Sequence, residues 1–343
     1  MSNIEHNSDQ MELLKDAVKL DSIFMPQGRK QRDNFYRDLQ APEGIASAAR
    51  FVHYTTAEAA LSIINHKRIW MRNCLCMADY SEVQHGFEIL RRFFSDQSKV
   101  TAFKTALDSC VPGAAEEALN TFNQWWHDIR LHTYIASISE HDSREDAHGR
   151  LSMWRAFGGT KGSRVALVFN VPWLSGAASV LNIIFSPVAY LAEEEAHGQI
   201  YTVMQNITEN ADYLRSIQRE FVVSAVFHML LTGVTCVKHE GFREEREWRA
   251  IYSPHRKPSN YMKSCPKVIN AVPQLVYELP LDERIAPDLA GLDFSRILDR
   301  LIIGPTQYAG PMFEAFREAL DRAGVPPESE RQRIFLSGIP IRA

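Results

Sequence analysis

The chain has 343 residues, enough for one large domain or two of medium size. Hydrophobic residues make up 45% and charged residues 23%, so a core can form and wholesale disorder is excluded. Lys and Arg total 38 against 42 Asp and Glu, a formal charge of −4. That argues against a surface coated in positive charge for duplex nucleic acid, but not against a local basic cleft. The cysteines are Cys74, Cys76, Cys110, Cys236 and Cys265. Odd in number and scattered, they read as the reduced thiols of a cytoplasmic protein rather than a disulfide framework. The Cys-x-Cys at 74–76 is a weak metal signal by itself, and no metal is expected. The first ten residues, MSNIEHNSDQ, lack the basic and apolar regions of a signal peptide. The most apolar stretches, FVVSAVFHMLLTGVTCV and SVLNIIFSPVAYLA, contain His or Pro and read as core, so no membrane association is expected.

In chain order, residues 1–45 form a partly helical lead-in, apolar at helical spacing in MELLKDAVKL and basic in PQGRKQRDNF. FVHYT at 51–55 is a short strand. AEAALSIINHK follows as a helix with Thr56 as its N-cap, and RIWMRN as a second strand. Residues 80–132 read as mainly helical, broken by VPG at 111–113. Alternation returns at 134–139, then a polar loop EHDSREDAHGR leads to a short helix in LSMWRAFGG. SRVALVFNV is a buried strand and SVLNIIFSPVAYL an extended segment. Residues 192–235 read as one or two long helices. EWRAIYSP, QLVYELPL and DRLIIGP are strands, GPMFEAFREALDRAGV is a helix, and RIFLSGIPI closes as a strand. Strict strand–helix alternation is absent. The pattern predicts an α+β fold with a mixed, split β-sheet and large helical insertions near 85–132 and 192–235, all within one domain over 46–343.

Several familiar signatures are missing: no phosphate loop, no dinucleotide fingerprint, no HExxH and no G-x-S-x-G. GGTKGS at 158–163 has the wrong spacing and reads as a tight turn. Four sites carry possible chemistry. His53 lies mid-strand, where histidine is uncommon. It is either a core histidine bonded to backbone or a donor to a hydroxylated ligand, with Tyr54 and Thr55 beside it. In FREEREWR at 242–249, an extended 245–251 would put Glu245, Glu247 and Arg249 on one face. That is either a charged edge strand or a carboxylate at the mouth of a cleft, suited to stabilising a sugar cation. Trp154 and Phe157 share a helical face, as core or as a stacking platform. Arg72, Asn73, Asp79 and Glu82 form a polar group after a strand, either a solvated loop, which is the default, or a place where Arg72 meets a phosphate.

Taken in order, H-Y-T before a helix, R-N with D-x-x-E, S-x-S with M-W, F-R-E-E-x-E-W-R, and I-G-P with S-x-I-P resemble a widespread bacterial family known only as a domain of unknown function. The strand–helix–strand start also resembles the ADP-ribosyltransferase superfamily. That resemblance implies an ADP-ribosyltransferase-like split sheet with NAD as substrate and no metal. It makes His53 a ribose ligand and Glu247 the residue that stabilises or activates the reacting ribose, with Glu245 as companion. Those three would be the catalytic residues, with His53, Tyr54, Thr55, Arg72 and Trp154 holding NAD. The superfamily's second motif position falls on Tyr54, Ser137, Ser139 or Trp154. The implied role is a toxin or anti-phage effector that modifies protein, RNA or DNA, with a neutralising antitoxin as a possible partner. A non-catalytic nucleotide-, RNA- or partner-binding module on the same scaffold is the alternative.

Overall fold

The structure is a computed structural model that describes residues 15–37, 49–77, 80–156, 163–171, 175–269, 271–326 and 332–340. The strands are β1 (Arg50–Thr56), β2 (Arg68–Asn73), β3 (Tyr134–Glu140), β4 (Arg164–Asn170), β5 (Ile183–Pro187), β6 (Ala189–Tyr190), β7 (Val237–Lys238), β8 (Glu247–Tyr252), β9 (Lys263–Ile269), β10 (Val272–Pro280), β11 (Leu298–Ile303) and β12 (Ile334–Leu336). The protein is thus a mixed α+β fold with a mixed sheet. The Cα framework gathers into two compact units. One comprises residues 1–35, 78–130 and 186–242, and the other comprises 36–77, 131–185 and 243–343.

The first unit is helical. Both insertions expected from the sequence are helices, and they cluster with the N-terminal helices. The segment over 192–235 divides into Glu193–Glu209, Ala211–Ser216 and Arg219–Thr235. Arg219–Thr235 is apolar on every side, with Val222, Val226, Phe227, Leu230 and Leu231 buried. A helix of that kind has to be surrounded, which is why the insertions build a core of their own. The helix Tyr80–Ser95 crosses it with near backbone contact. A Cβ on Gly86 would lie 2.7 Å from the Val234 carbonyl oxygen. Nearby, Phe122 packs edge-on against Phe227, their ring centroids 5.9 Å apart. The strands β6 and β7 form a small parallel pair.

The second unit is built on the sheet. Its strands run β12-β11-β4-β1-β3-β2-β10-β9, with β8 pairing β3 and β5. β11 and β12 are parallel, while the other mapped pairs of this sheet are antiparallel. The helices Ala57–His66 and Ala309–Arg322 supply Ala60, Ile63 and Ile64, and Phe316 and Leu320, to the core that contains Val165, Leu167, Leu301 and Ile303. Each Ile, Val, Leu and Phe among these contributes about 1.5–3 kcal/mol on burial. Thr56 caps the first of these helices by accepting the Ala59 amide at 3.2 Å, and Lys67, at φ 51°, ends it in the left-handed conformation. The segment expected to be extended from 179 begins instead with the helix Ser175–Leu181 and turns at Asn182, φ 53°, into β5. Among the described residues no helix is long and apolar enough to cross a membrane.

Candidate functional site

The sheet divides at β3. β8 runs along one edge of β3 from Tyr134↔Tyr252 to Ser139↔Glu247. On the other edge β1 pairs only at the C-terminal end, Phe51↔Glu140 and Val52↔Ser139. β2 pairs only at the N-terminal end, Arg72↔Ile135 and Asn73↔Tyr134. β1 and β2 therefore diverge from the middle of one shared edge, which makes this a split sheet. A carbonyl at the fork has lost its strand partner and needs another. His53 supplies it, with Nδ1–H donating to the Ser137 carbonyl at 3.0 Å.

Register fixes which side chains share a face, because residues directly opposite point the same way. Val52, Ser139 and Glu247 are in line, and so are Ser137 and Arg249. Tyr54, Ser137, Ser139, Glu247, Arg249 and Arg72 therefore stand on one face. Phe51, His53 and Thr55 stand on the other, with Glu140 and Trp248. Two contacts confirm the second group. Phe51 meets Trp248 edge-on at 5.2 Å, and the Trp248 indole donates to Glu140 Oε1 at 2.9 Å. The sheet thus separates His53 from Glu247 instead of turning both toward one pocket.

Glu247 and Arg249 form a bidentate ion pair along β8, Nε–Oε1 2.8 Å and Nη2–Oε2 3.1 Å. Their side chains are only 6% and 2% exposed. This is a fork-to-fork pair in a desolvated place, where removing one partner weakens what holds the other charge. The Ser137 hydroxyl across from Arg249 is buried and has no hydrogen-bond partner among the described residues. Burial, which outweighs the nearby Arg249 charge, pushes the Cys74 thiol up to about 11, which disfavours the thiolate nucleophile.

Glu245 does not join this face. The extended stretch expected over 245–251 begins at Glu247, and Glu240–Glu245 is a 3-10 turn. Arg246 makes the break, at φ 44°. Arg150 holds the turn in place: Nη1 donates to the Glu244 and Glu245 carbonyls at 2.7 and 3.2 Å, and Nη2 to the Glu140 carbonyl at 2.9 Å. Its Nε pairs with Glu145 Oε1 at 2.8 Å. Nor is β8 an edge strand, since it lies between β3 and β5. Arg150 escaped the sequence reading because it sits in what scans as a polar loop.

The other candidates have structural partners. The Tyr54 hydroxyl accepts the Arg150 amide at 2.8 Å, and burial pushes its phenol up to about 12. Trp154 is 1% exposed, edge-on to Tyr54 at 4.8 Å, with its indole N–H on the His148 carbonyl at 2.8 Å. Gly149 and Gly304 press against its ring, where an added Cβ would lie at 2.7 and 3.0 Å. It is core, not an open stacking platform. Arg72 donates to Gln274 Oε1 at 3.2 Å and to the Cys76 carbonyl, and burial lowers its pKa. Thr55 lies opposite Val165 on β4. Phe157, Asp79 and residues 158–162 fall outside the described residues, as does the side chain of Glu82.

A charged network that the sequence did not suggest lies at the other end of β1. Asp146 accepts from Arg50 at 2.8 Å and pairs with Arg300 at 3.1 Å, while Arg300 also holds Asp299 at 2.8 Å. His141, its side chain fully buried, bonds Asp146 through Nε2 at 2.8 Å.

With this geometry in place, the chain can be set beside known proteins. The family model "Protein of unknown function (DUF2971)" matches residues 153–250. No curated protein and no solved structure matches the chain. The DUF2971 match covers β4, the 3-10 turn and the Glu247–Arg249 pair, and stops short of His53, Tyr54, Thr55 and Arg72.

Burial lowers the pKa of both His53 and His141. The unfolded chain keeps the ordinary histidine value near about 6.5. Below that pH the unfolded state binds protons that the folded state refuses, so stability is lost as pH falls through this window. Urea midpoints measured at about pH 7.5 and about pH 5 are expected to show the loss. His53→Gln is expected to reduce it. An unchanged loss in that variant would mean that His53 titrates alike in both states.

Proposed function

We propose that the split-sheet unit is ADP-ribosyltransferase-like and acts on NAD, with Glu247 as the carboxylate beneath the reacting ribose. The observation that supports this is the fork at β3. There a carboxylate is held rigidly by Arg249 beside an unpartnered buried hydroxyl, Ser137, on one face of a divided sheet. In the reaction the N-glycosidic bond breaks, nicotinamide leaves with its electron pair, and the acceptor's nucleophile adds at the ribose carbon and gives up its proton. A fixed carboxylate stabilises the oxocarbenium-like sugar between these events. His53 acts as the structural tie at the fork, while Glu245 has no part in the chemistry. A cytoplasmic toxin or anti-phage effector, with a protein, RNA or DNA acceptor and a neutralising partner, is the setting in which such chemistry fits.

A second reading has its own support: the Glu247 charge is already neutralised by a buried Arg249, as in a non-catalytic binding module. Incubating the full chain with radiolabelled NAD and a bacterial lysate separates the two. Transferase action is expected to move label into protein, RNA or DNA. Saturable NAD binding with no label transferred would establish the binding reading. Neither binding nor transfer would remove NAD from the function.

A further inference from the structure

We infer that the split-sheet unit holds a binding site for a small, uncharged, hydrocarbon-like molecule, in the hollow where Ala136 and Ala250 face each other. These two alanines are direct partners across β3 and β8. Their neighbours in register are large: Ile138 opposite Trp248 on one side, and Tyr134 opposite Tyr252 on the other. Two methyl groups side by side cannot fill the depth set by the flanking aromatics, so the sheet carries a dent. The helix Ser175–Leu181 and β5 cover it with Leu181 and Phe185, and Leu281 and Leu292 close it from the C-terminal segments. The result is a cavity of about 70 Å³ whose whole lining is apolar.

The chemistry of that lining selects the occupant. Water needs two to four polar partners in a buried site, and the lining offers none. A charged or hydroxylated ligand would leave its polar groups unsatisfied. A hydrocarbon of about three carbons loses nothing on entry and regains dispersion contacts with walls that otherwise face a void, whereas benzene needs a hollow of about 150 Å³. The site lies on the sheet face opposite Glu247 and does not depend on the NAD reading.

Cyclopropane dissolved into the full chain is the test. The expected result is saturable, one-to-one binding by calorimetry, with the thermal midpoint raised by a few degrees. Both signals are expected to disappear in Ala250→Leu, whose isobutyl group occupies the hollow. Should that variant fail to fold, Ala136→Val reduces the same space from the neighbouring strand and is expected to weaken binding. Absence of saturable binding to the wild-type chain would overturn the inference. Equal binding to wild type and to a folded filling variant would do the same, since it would place the cyclopropane elsewhere.

Discussion

Glu247→Gln is expected to reduce ADP-ribosyl transfer about 10²–10⁴-fold, the scale of a lost electrostatic or acid–base group. It is also expected to lower stability. A carboxylate at the mouth of a solvated cleft could lose its charge with little effect on folding, and that is what the sequence reading anticipates. The ion pair changes the expectation, because Gln offers Arg249 one neutral oxygen where two charged ones stood, and the guanidinium is 2% exposed. Breaking a buried pair costs about 3–5 kcal/mol, and the amide recovers only part of that. Replacing both partners with apolar residues, Glu247→Leu with Arg249→Met, is expected to restore most of the stability and none of the activity. The two variants together separate folding from chemistry. The measurements are the urea midpoint and NAD turnover on the same preparations. Full turnover in Glu247→Gln would take this residue out of the mechanism. A wild-type chain without turnover, alongside the predicted stability pattern, would leave the pair a structural device.

Much of the fold is legible in the sequence because its strands are short and strongly patterned. FVHYT, SRVALVFNV and DRLIIGP become β1, β4 and β11, and the Thr56 cap stands where residue chemistry puts it. The strand β9 leaves no pattern in the sequence, because Lys263, Ser264, Pro266 and Lys267 give it no apolar face, and its residues are mostly exposed. The site was less legible, for two physical reasons. Alternation along one strand says which residues share its face, but only register between strands says which faces agree. His53 and Glu247 each look suited to a cleft, and pairing through β3 sets them on opposite sides. Glu245 illustrates the second reason. Its pattern fits an extended strand, and the decisive contact is the distant guanidinium of Arg150 on the carbonyls of the turn. Long-range side-chain-to-backbone bonds leave no local signature. What could be read was the choice itself: a histidine bonded to backbone was one of the two readings of His53, and core was one of the two readings of Trp154.

Trp154→Ala is expected to be among the most destabilising single changes in the split-sheet unit, by about 3–5 kcal/mol. The indole is 1% exposed and fills a slot bounded by Tyr54, Gly149 and Gly304. Truncation opens a cavity among Val52, Met153, Val168 and Ile302, the residues it packs with. It also leaves the His148 carbonyl without the indole donor. The same slot can be attacked from the other side. Gly149 sits at φ 65°, a conformation that costs an L residue about 1–2 kcal/mol, and a Cβ there would come within 2.7 Å of the indole ring. Gly149→Ala is therefore expected to cost more than that backbone strain alone. Because both changes act on one contact, they should not add: the double variant is expected to fall well short of the sum, since without the indole the new methyl has nothing to strike. A ligand-stacking role would give another pattern. A Trp that packs on a bound ring loses affinity on truncation and leaves the folded chain almost as stable as before. Urea unfolding of the two single variants and the double variant, without ligand, decides the matter. A Trp154→Ala chain as stable as wild type would show that the indole is not core and would return it to the list of ligand contacts.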